Sequence, residues 1–228
     1  MTDLILSSGY LAFAEHAGFL RGVEQAGVEV RGLCGTSSGA LVGALWASGM
    51  PAERVLQRLT ATAPIAELRP QLRFWRGIFS LSGMIEQLRV DLPPLIQDLP
   101  FPAAFGVVDQ LGRPRLLTDG PLAEAVAASC AVPHLFQPVV VDGEPYVDGG
   151  AADRTGLGQW RALRGSNSSR RTLLHWVERS AGREVEEDLT GVMVVRSPRS
   201  KASLWSLGDV QFRYERSVER FQSRGKTL

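Results

Sequence analysis

The sequence predicts an α/β fold in which helices cover a mostly parallel sheet. An apolar run at Leu4–Leu6 has the length of a short buried strand, and residues 12–26 then repeat apolar side chains at helical spacing before Gly27. A second strand is expected at Val28–Leu33, and the small and apolar residues of Ser38–Ser48 are typical of a buried helix. Strands that alternate with helices in this way run parallel in one sheet.

The rest of the chain continues this alternation with a weaker signal. The pattern predicts a helix at Ala52–Thr62, strands at Phe105–Val108 and Arg115–Thr118, a helix at Pro121–Cys130, a hairpin of Val139–Val141 with Tyr146–Val147, a helix at Thr172–Ser180, a strand at Val192–Val195 and a final helix at Leu207–Arg224. The sequence shows no internal repeat and no low-complexity linker. We therefore expect residues 1–228 to form a single domain.

The charge balance argues against a nucleic-acid partner. Lys and Arg number 25 against 24 Asp and Glu, which leaves a formal net charge of +1. Such a chain has no long-range field that would attract a polyanion. The local basic cluster at Arg161–Arg171 is interpreted as a solvated loop.

The composition also predicts a cytoplasmic location. The first residues, MTDLILSSGY, lack the basic segment of a signal peptide, and no apolar run approaches the length of a membrane span. Cys34 and Cys130 are too few for a disulfide scaffold, and their apolar surroundings favour free thiols in a reducing compartment. A single bridge between them is the alternative.

Residues Gly35–Gly39 fit the pattern G-x-S-x-G, and they lie between a predicted strand and a predicted helix. A sharp turn at this place exposes the central serine, Ser37, at the carboxyl end of the sheet and beside the N–H groups of the helix start. Ser37 is therefore a candidate nucleophile. The alternative is that Ser37 or Ser38 only caps the helix.

A serine nucleophile needs a base that takes its proton. The chain contains three histidines, His16, His134 and His175. In an α/β-hydrolase with the order Ser, Asp, His, the candidate would be His175. The better candidate is Asp148, which follows a predicted strand and precedes two glycines that permit close backbone approach. A plain Asp-Gly turn is the alternative for this segment.

Three blocks in this order resemble the patatin-like phospholipase family. They are LILSSGYLAFAEHAGFLRGVEQAG, VRGLCGTSSGALVGALWASG and AASCAVPHLFQPVVVDGEPYVDGGAADRTG. The resemblance is strongest over residues 4–155, and Val192–Val195 would be the last strand of the family's sheet. It implies a three-layer α/β/α sandwich with a mostly parallel central sheet, and hydrolysis of carboxylic esters, typically the acyl chains of lipids.

The family uses a serine and an aspartate without a histidine. The resemblance therefore implies that Ser37 is the nucleophile and Asp148 its base, with no metal and no organic cofactor. The glycines of the two motifs are Gly35 and Gly39 in the elbow and Gly149 and Gly150 after the aspartate.

The sequence departs from the family in the loop that would stabilise the oxyanion. Family members typically carry three consecutive glycines, then a residue, then a basic residue and glycine. In Ser8–Phe13 only Gly9 remains, and Ala12 replaces the basic residue. Backbone donors survive such changes, but Tyr10 and Leu11 tolerate positive φ poorly. The expected donors are the N–H groups of Gly9, Tyr10, Leu11 and Ser38.

The resemblance implies a lipid or acyl-ester substrate. The segment RFWRGIF suggests an apolar lid or a peripheral membrane contact through Phe74, Trp75, Ile78 and Phe79, unless these side chains pack into the core. Two other functions remain open for the same scaffold. One is a short-chain esterase or thioesterase, and the other is a non-catalytic lipid-binding protein with an altered oxyanion loop.

Overall fold

The structure is a computed structural model that describes residues 2–61, 69–70, 78–165, 171–178 and 187–225. The strands in chain order are β1 (Thr2–Leu6), β2 (Val30–Thr36), β3 (Arg69–Pro70), β4 (Phe79–Ser80), β5 (Ala103–Val108), β6 (Pro114–Leu117), β7 (Val139–Val141), β8 (Glu144–Asp148), β9 (Arg171–Val177) and β10 (Val192–Ser197). The helices are α1 (Phe13–Gln25), α2 (Ser38–Ala47), α3 (Ala52–Thr60), α4 (Ser82–Asp91), α5 (Leu122–Ser129), α6 (Leu157–Arg164) and α7 (Val210–Gly225). Short 3₁₀ turns lie at Ile96–Asp98 and Gly149–Ala151.

The main sheet has the strand order β10-β9-β1-β2-β5-β8-β7, and β6 also pairs with β5. The pairs from β10 to β5 are parallel, whereas β6 and β8 run antiparallel to β5 and β7 runs antiparallel to β8. The carboxyl ends of the parallel strands therefore meet at one edge of the sheet.

Helices cover both faces of the sheet, because alternate residues of each parallel strand point to opposite sides. Leu4 and Leu6 of β1 lie in a core with the large helical layer of α1 to α5 and α7. Ile5, between them, packs instead with Trp160 and Leu157 of α6. This arrangement confirms the predicted three-layer α/β/α sandwich with a mostly parallel sheet.

Most predicted elements are present with shifts of a few residues, and β10 forms the expected final strand at the edge of the sheet. The predicted helix at Thr172–Ser180 is wrong, because this segment forms β9 between β1 and β10. Both faces of an inner strand are buried, so its apolar residues are consecutive and do not alternate. The helices α4 and α6 were not predicted.

The basic cluster is not simply a solvated loop. Its first residues belong to α6, where Arg161 donates to the carbonyl oxygen of Asp188 at 2.8 Å and Arg164 forms an ion pair with the buried Asp3. Residues 166–170 lie outside the described part of the chain. Across the residues that the structure describes, no helix is long and apolar enough to cross a membrane. Cys34 and Cys130 are free thiols.

Two histidines meet in the core between α1 and β9. The Nδ1 atoms of His16 and His175 lie 2.8 Å apart, and His175 Nε2 lies 3.0 Å from the hydroxyl of Ser197. Phe19 stacks on the His175 ring. Burial lowers the pKa of His16 to about 3 and holds the pKa of His175 well below its usual value. Both rings are therefore neutral in the folded protein.

This pair predicts that stability falls as the pH falls below about 6.5, because the unfolded chain then binds a proton on each imidazole and the folded chain does not. We expect His175→Gln, which keeps polar groups without titrating, to reduce the pH dependence of the unfolding free energy by about 1.4 kcal/mol per pH unit below pH ~6. Urea unfolding between pH 4.5 and 7.5 measures this slope. An unchanged slope in the folded variant would contradict the neutral pair.

Candidate active site

Ser37 and Asp148 come together because two strands follow one another along the same edge of β5. Thr36 at the end of β2 pairs with Gly106, and Asp148 at the end of β8 pairs with the next residue, Val107. The opposite edge of β5 is occupied by β6 over the same stretch. The chain turns directly after Thr36, so Ser37 lies next to the terminal residue of β8.

The turn at Ser37 has the strained backbone of a nucleophile elbow, with φ 55° and ψ −123°. Its N–H donates to the hydroxyl of Ser129 at 2.9 Å, and that hydroxyl donates to the carbonyl oxygen of Gly106 at 2.6 Å. The thiol of Cys130 lies 3.3 Å from the carbonyl oxygen of Ser37. Residues at the end of α5 therefore hold both sides of the turn.

The hydroxyl of Ser37 does not cap α2. It donates to Asp148 Oδ2 at 2.7 Å, and the N–H of Gly150 donates to the other carboxylate oxygen at 2.7 Å. The hydroxyl of Ser38 donates to the carbonyl oxygen of Gly9. Neither hydroxyl thus caps the helix, and each connects the elbow to a different segment.

Asp148 is a buried carboxyl, with 5% of its surface exposed. Burial raises its pKa to about 6, although the hydrogen bonds from Ser37 and Gly150 act in the opposite direction. Among the described residues, no cationic side chain contributes to this shift. The group therefore titrates near neutrality, where a general base is most effective.

The motif glycines permit backbone contacts that a side chain would block. A Cβ at Gly39 would lie 2.4 Å from the carbonyl oxygen of Leu6, so the start of α2 packs directly on the end of β1. A Cβ at Gly149 would lie 2.4 Å from the carbonyl oxygen of Gly106. Gly35 lies against the backbone of the first turn of α2.

The loop from Ser8 to Ala12 lies beside the elbow. Leu11 has φ 48°, a strained value for a residue other than glycine, whereas Tyr10 does not have a positive φ. Within the described chain, the N–H groups of Gly9, Tyr10 and Leu11 have no hydrogen-bond acceptor. The N–H of Ser38, as the first residue of a helix, has no intrahelical acceptor. These are the four donors expected from the sequence, and all border the same turn.

Arg154, which follows the Asp-Gly-Gly motif, forms hydrogen bonds with Ser8 at the start of this loop. Its Nη2 donates to the carbonyl oxygen of Ser8 at 2.9 Å and also to that of Val177, and its Nε donates to the Ser8 hydroxyl at 3.2 Å. The N–H of Ser8 donates back to the Arg154 carbonyl oxygen at 2.7 Å. Arg154 is 8% exposed. This chain thus has a buried guanidinium on the loop although Ala12 has replaced the family's basic residue.

An apolar pocket opens at Ser37 and extends between α2 and α4. Leu41 and Leu45 line it along α2, and Met84 and Leu88 line it along α4. The remaining walls include Tyr10, Leu11, Phe13, Leu81, Val132, Phe136 and Leu204. Most of the lining side chains are apolar, although Arg58, Gln87 and Asp91 also contribute, and such a pocket suits a hydrocarbon chain.

The expected membrane segment is described only in part. Phe74 and Trp75 lie outside the described residues. Ile78 is 48% exposed, and the half-buried Phe79 packs near Phe136 at the pocket wall. Among the described residues, no group of three His, Cys, Asp or Glu side chains could hold a metal ion.

Sequence reasoning did not assign roles to Ser129 or Arg154. Ser129 lies in the Ala-Ser-Cys-Ala-Val-Pro run, and the presence of a serine at the end of a helix of alanines was the available signal. Arg154 follows the Asp-Gly-Gly motif by four residues, where only its spatial partner Ser8, 146 positions away in sequence, reveals its role.

Solved structures with a similar fold include proteins of two bacteria. VipD from Legionella pneumophila aligns with a TM-score of 0.62 and 11% identity, covering 99% of this chain and 67% of that chain. A chain in the structure of full-length ExoU with SpcU from Pseudomonas aeruginosa aligns with a TM-score of 0.60 and 16% identity, covering 100% of this chain and 52% of that chain. At these identities the likeness concerns the fold.

Sequence relatives are more closely matched. An uncharacterised NTE family protein of Mycobacterium tuberculosis is 27% identical over 208 residues, which are 90% of this chain and 57% of the relative. Patatin-like phospholipase domain-containing protein 6 of Homo sapiens is 32% identical over 157 residues, which are 64% of this chain and 11% of the relative. The chain thus spans just over half the length of its mycobacterial relative. A family model described as patatin-like phospholipase matches residues 4–159, and the chain belongs to the patatin-like phospholipase family.

Proposed function

We propose that this protein is a serine hydrolase that cleaves carboxylic esters of lipids through an acyl-enzyme. The observation that carries the proposal is the 2.7 Å hydrogen bond from the Ser37 hydroxyl to Asp148 at the mouth of an apolar pocket. A serine bonded to a buried base is the arrangement that nucleophilic catalysis requires. Membership in the family and the apolar lining of the pocket support the same conclusion.

In the first step, Ser37 Oγ attacks the ester carbonyl carbon while Asp148 accepts the hydroxyl proton. The resulting oxyanion faces the N–H groups of Gly9, Tyr10, Leu11 and Ser38, which would stabilise its charge. When the intermediate collapses, protonated Asp148 gives its proton to the leaving alcohol oxygen. A water molecule then attacks the acyl-enzyme, Asp148 takes one of its protons, and the proton returns to Ser37 as the fatty acid leaves.

The pocket supports a lipid substrate over a short acyl group. Its lining by Leu41 and Leu45 covers two turns of α2 beyond Ser37, which corresponds to roughly 12 Å at the rise of a helix. Each buried methylene contributes about 0.8 kcal/mol to binding. A long acyl chain therefore gains affinity that a short-chain ester would not. We expect the protein to act in the cytoplasm on lipids presented at a membrane surface.

The dyad is tested by labelling with a fluorophosphonate probe and mapping the modified peptide by mass spectrometry. We expect label on Ser37, and we expect Ser37→Ala and Asp148→Asn each to lower turnover by about 10⁴-fold or more. His175→Gln is the control. His175 contacts His16 and Ser197 and not the dyad, so its substitution should leave labelling intact. Equal loss in the folded His175→Gln variant would favour a triad instead.

The raised pKa of Asp148 predicts the pH dependence of the reaction. A base must be deprotonated to accept a proton, so kcat/KM should fall as the pH falls through about 6 and level off above pH ~7. The rate is measured on a soluble ester by chromatography of the released acid. A profile that is flat from pH 5 to 8 would contradict the role of Asp148.

Arg154 is expected to act as a positioning residue for the oxyanion loop. Arg154→Lys keeps the charge but cannot donate in a fork to the carbonyl oxygens of Ser8 and Val177. We expect kcat to fall by about 10–100-fold, less than the ~10²–10³-fold cost of losing one oxyanion donor outright. KM should stay within about 2-fold, since the guanidinium does not line the pocket. A change in KM alone, with kcat preserved, would exclude this role.

A further inference from the structure

A tight turn at Ser203–Ser206 places one apolar side chain in the pocket and the next one in solvent. Ser203 N–H donates to the Ser206 carbonyl oxygen at 2.7 Å, and Ser206 N–H donates back to the Ser203 carbonyl oxygen at 3.3 Å. Of the two residues at the tip, Leu204 is 8% exposed and lines the pocket. Trp205 is 74% exposed. The turn therefore presents an indole to solvent directly beside the proposed acyl site.

This exposure is not that of a loose loop, because the turn is tied to the oxyanion loop. The Ser200 hydroxyl donates to the Leu11 carbonyl oxygen at 3.2 Å, and Arg213 Nη1 donates to Ser200 Oγ at 2.7 Å. The same guanidinium group forms an ion pair with Glu15 at 2.8 Å and bonds to the carbonyl oxygen of Leu207. Since Arg213 and Glu15 are largely buried, the segment that bears Trp205 is held on α1.

Two other segments, one in the pocket wall and one bonded to it, also expose apolar side chains. Tyr10 lines the pocket and is 38% exposed. Ile78, 48% exposed, precedes Phe79, whose backbone bonds on both sides of the pocket residue Phe136. Exposed apolar side chains thus occur in the pocket wall and in a segment bonded to it, and exposed apolar groups around a pocket are typical of an interaction surface.

The chemistry of this surface favours a lipid bilayer. Trp and Tyr have amphipathic rings that settle at the level of lipid headgroups. Arg199 and Lys201 are exposed and precede Trp205, whereas Asp209 follows it. The segment that bears Trp205 therefore carries a net positive charge, which is complementary to anionic lipids. An acyl chain that moves from a bilayer into the pocket would also pass the surface around Trp205.

We propose that Trp205, at the tip of the Ser203–Ser206 turn, inserts into the interfacial region of an anionic bilayer and docks the pocket mouth on it. The choice of a lipid surface as partner rests on the proposed function. Lys201 adds electrostatic attraction, and the bonded turn keeps Leu204 in the pocket while Trp205 enters the headgroup layer.

Vesicle binding tests the docking without any turnover. In the Ser37→Ala background, we expect sedimentation with phosphatidylcholine vesicles containing phosphatidylserine, and about 10-fold weaker binding for Trp205→Ala. Trp205→Phe should restore most of the binding. Leu163→Ala is the matched control, because Leu163 is 57% exposed and precedes Arg164, which contacts Asp3 near the start of β1 at the opposite end of the sheet. Equal losses in Trp205→Ala and Leu163→Ala would overturn the proposal.

Activity measurements separate docking from chemistry. In the active protein, Trp205→Ala should lower hydrolysis of vesicle phospholipid about 10-fold and leave hydrolysis of a soluble short-chain ester unchanged. If Trp205→Ala lowers the hydrolysis of both substrates equally, Trp205 acts in the site itself and the proposal is overturned. If it does not lower the hydrolysis of vesicle phospholipid, the proposal is overturned as well. So would a dimer, seen by light scattering, that Trp205→Ala dissociates. If Ser37 takes no label but vesicle binding still requires Trp205, the proposed function fails and the docking surface stands.

Discussion

The site depends on one edge of β5, where β2 ends and β8 takes over the pairing. Because β2 and β8 pair with successive residues of β5, Ser37 and Asp148, 111 positions apart in sequence, form a 2.7 Å hydrogen bond. The elbow cannot relax away from this contact, because Ser129 holds its N–H and Gly106 holds Ser129 in turn. The strained φ of Ser37 is thereby maintained by groups on two other elements, which is the condition under which such strain persists in a folded protein.

Burial gives the carboxylate of this dyad the property that a histidine supplies in a triad. An exposed aspartate, with a pKa near 4, is too weak a base to assist a serine at neutral pH, whereas imidazole titrates near 6.5. Desolvation raises the pKa of Asp148 to about 6, close to that of a histidine. The core histidine His175 has no contact with the dyad in the described residues. His175 is buried against His16 and kept neutral, and it contributes to packing on the opposite side of β1 from the elbow.

The sequence predicted the elements that carry a local pattern and failed where burial removes it. The strand, turn and helix around Ser37 and the strand before Asp148 were predicted because turn glycines and apolar runs mark them. β9 was mistaken for a helix, since an inner strand with both faces covered shows no alternation. The roles of Ser129 and Arg154 depend on partners distant in sequence, and no local pattern contains that information.

The loop from Ser8 to Ala12, which we propose as the oxyanion loop, lacks most of the family's glycines and contains a strained residue. A loop of glycines reaches positive φ at no steric cost, whereas Leu11 does so at a cost of about 1–2 kcal/mol. That cost has to be offset by contacts that fix the loop in place. Ser38 binds the carbonyl oxygen of Gly9 and Arg154 binds that of Ser8, while the segment bearing Trp205 binds that of Leu11 through Ser200. Since all three contacts use carbonyl oxygens, they leave the N–H groups of Gly9, Tyr10 and Leu11 without an acceptor among the described residues. The contact through Ser200 also joins the segment that bears Trp205 to the loop, so the proposed docking surface and the proposed oxyanion donors share one connected set of hydrogen bonds.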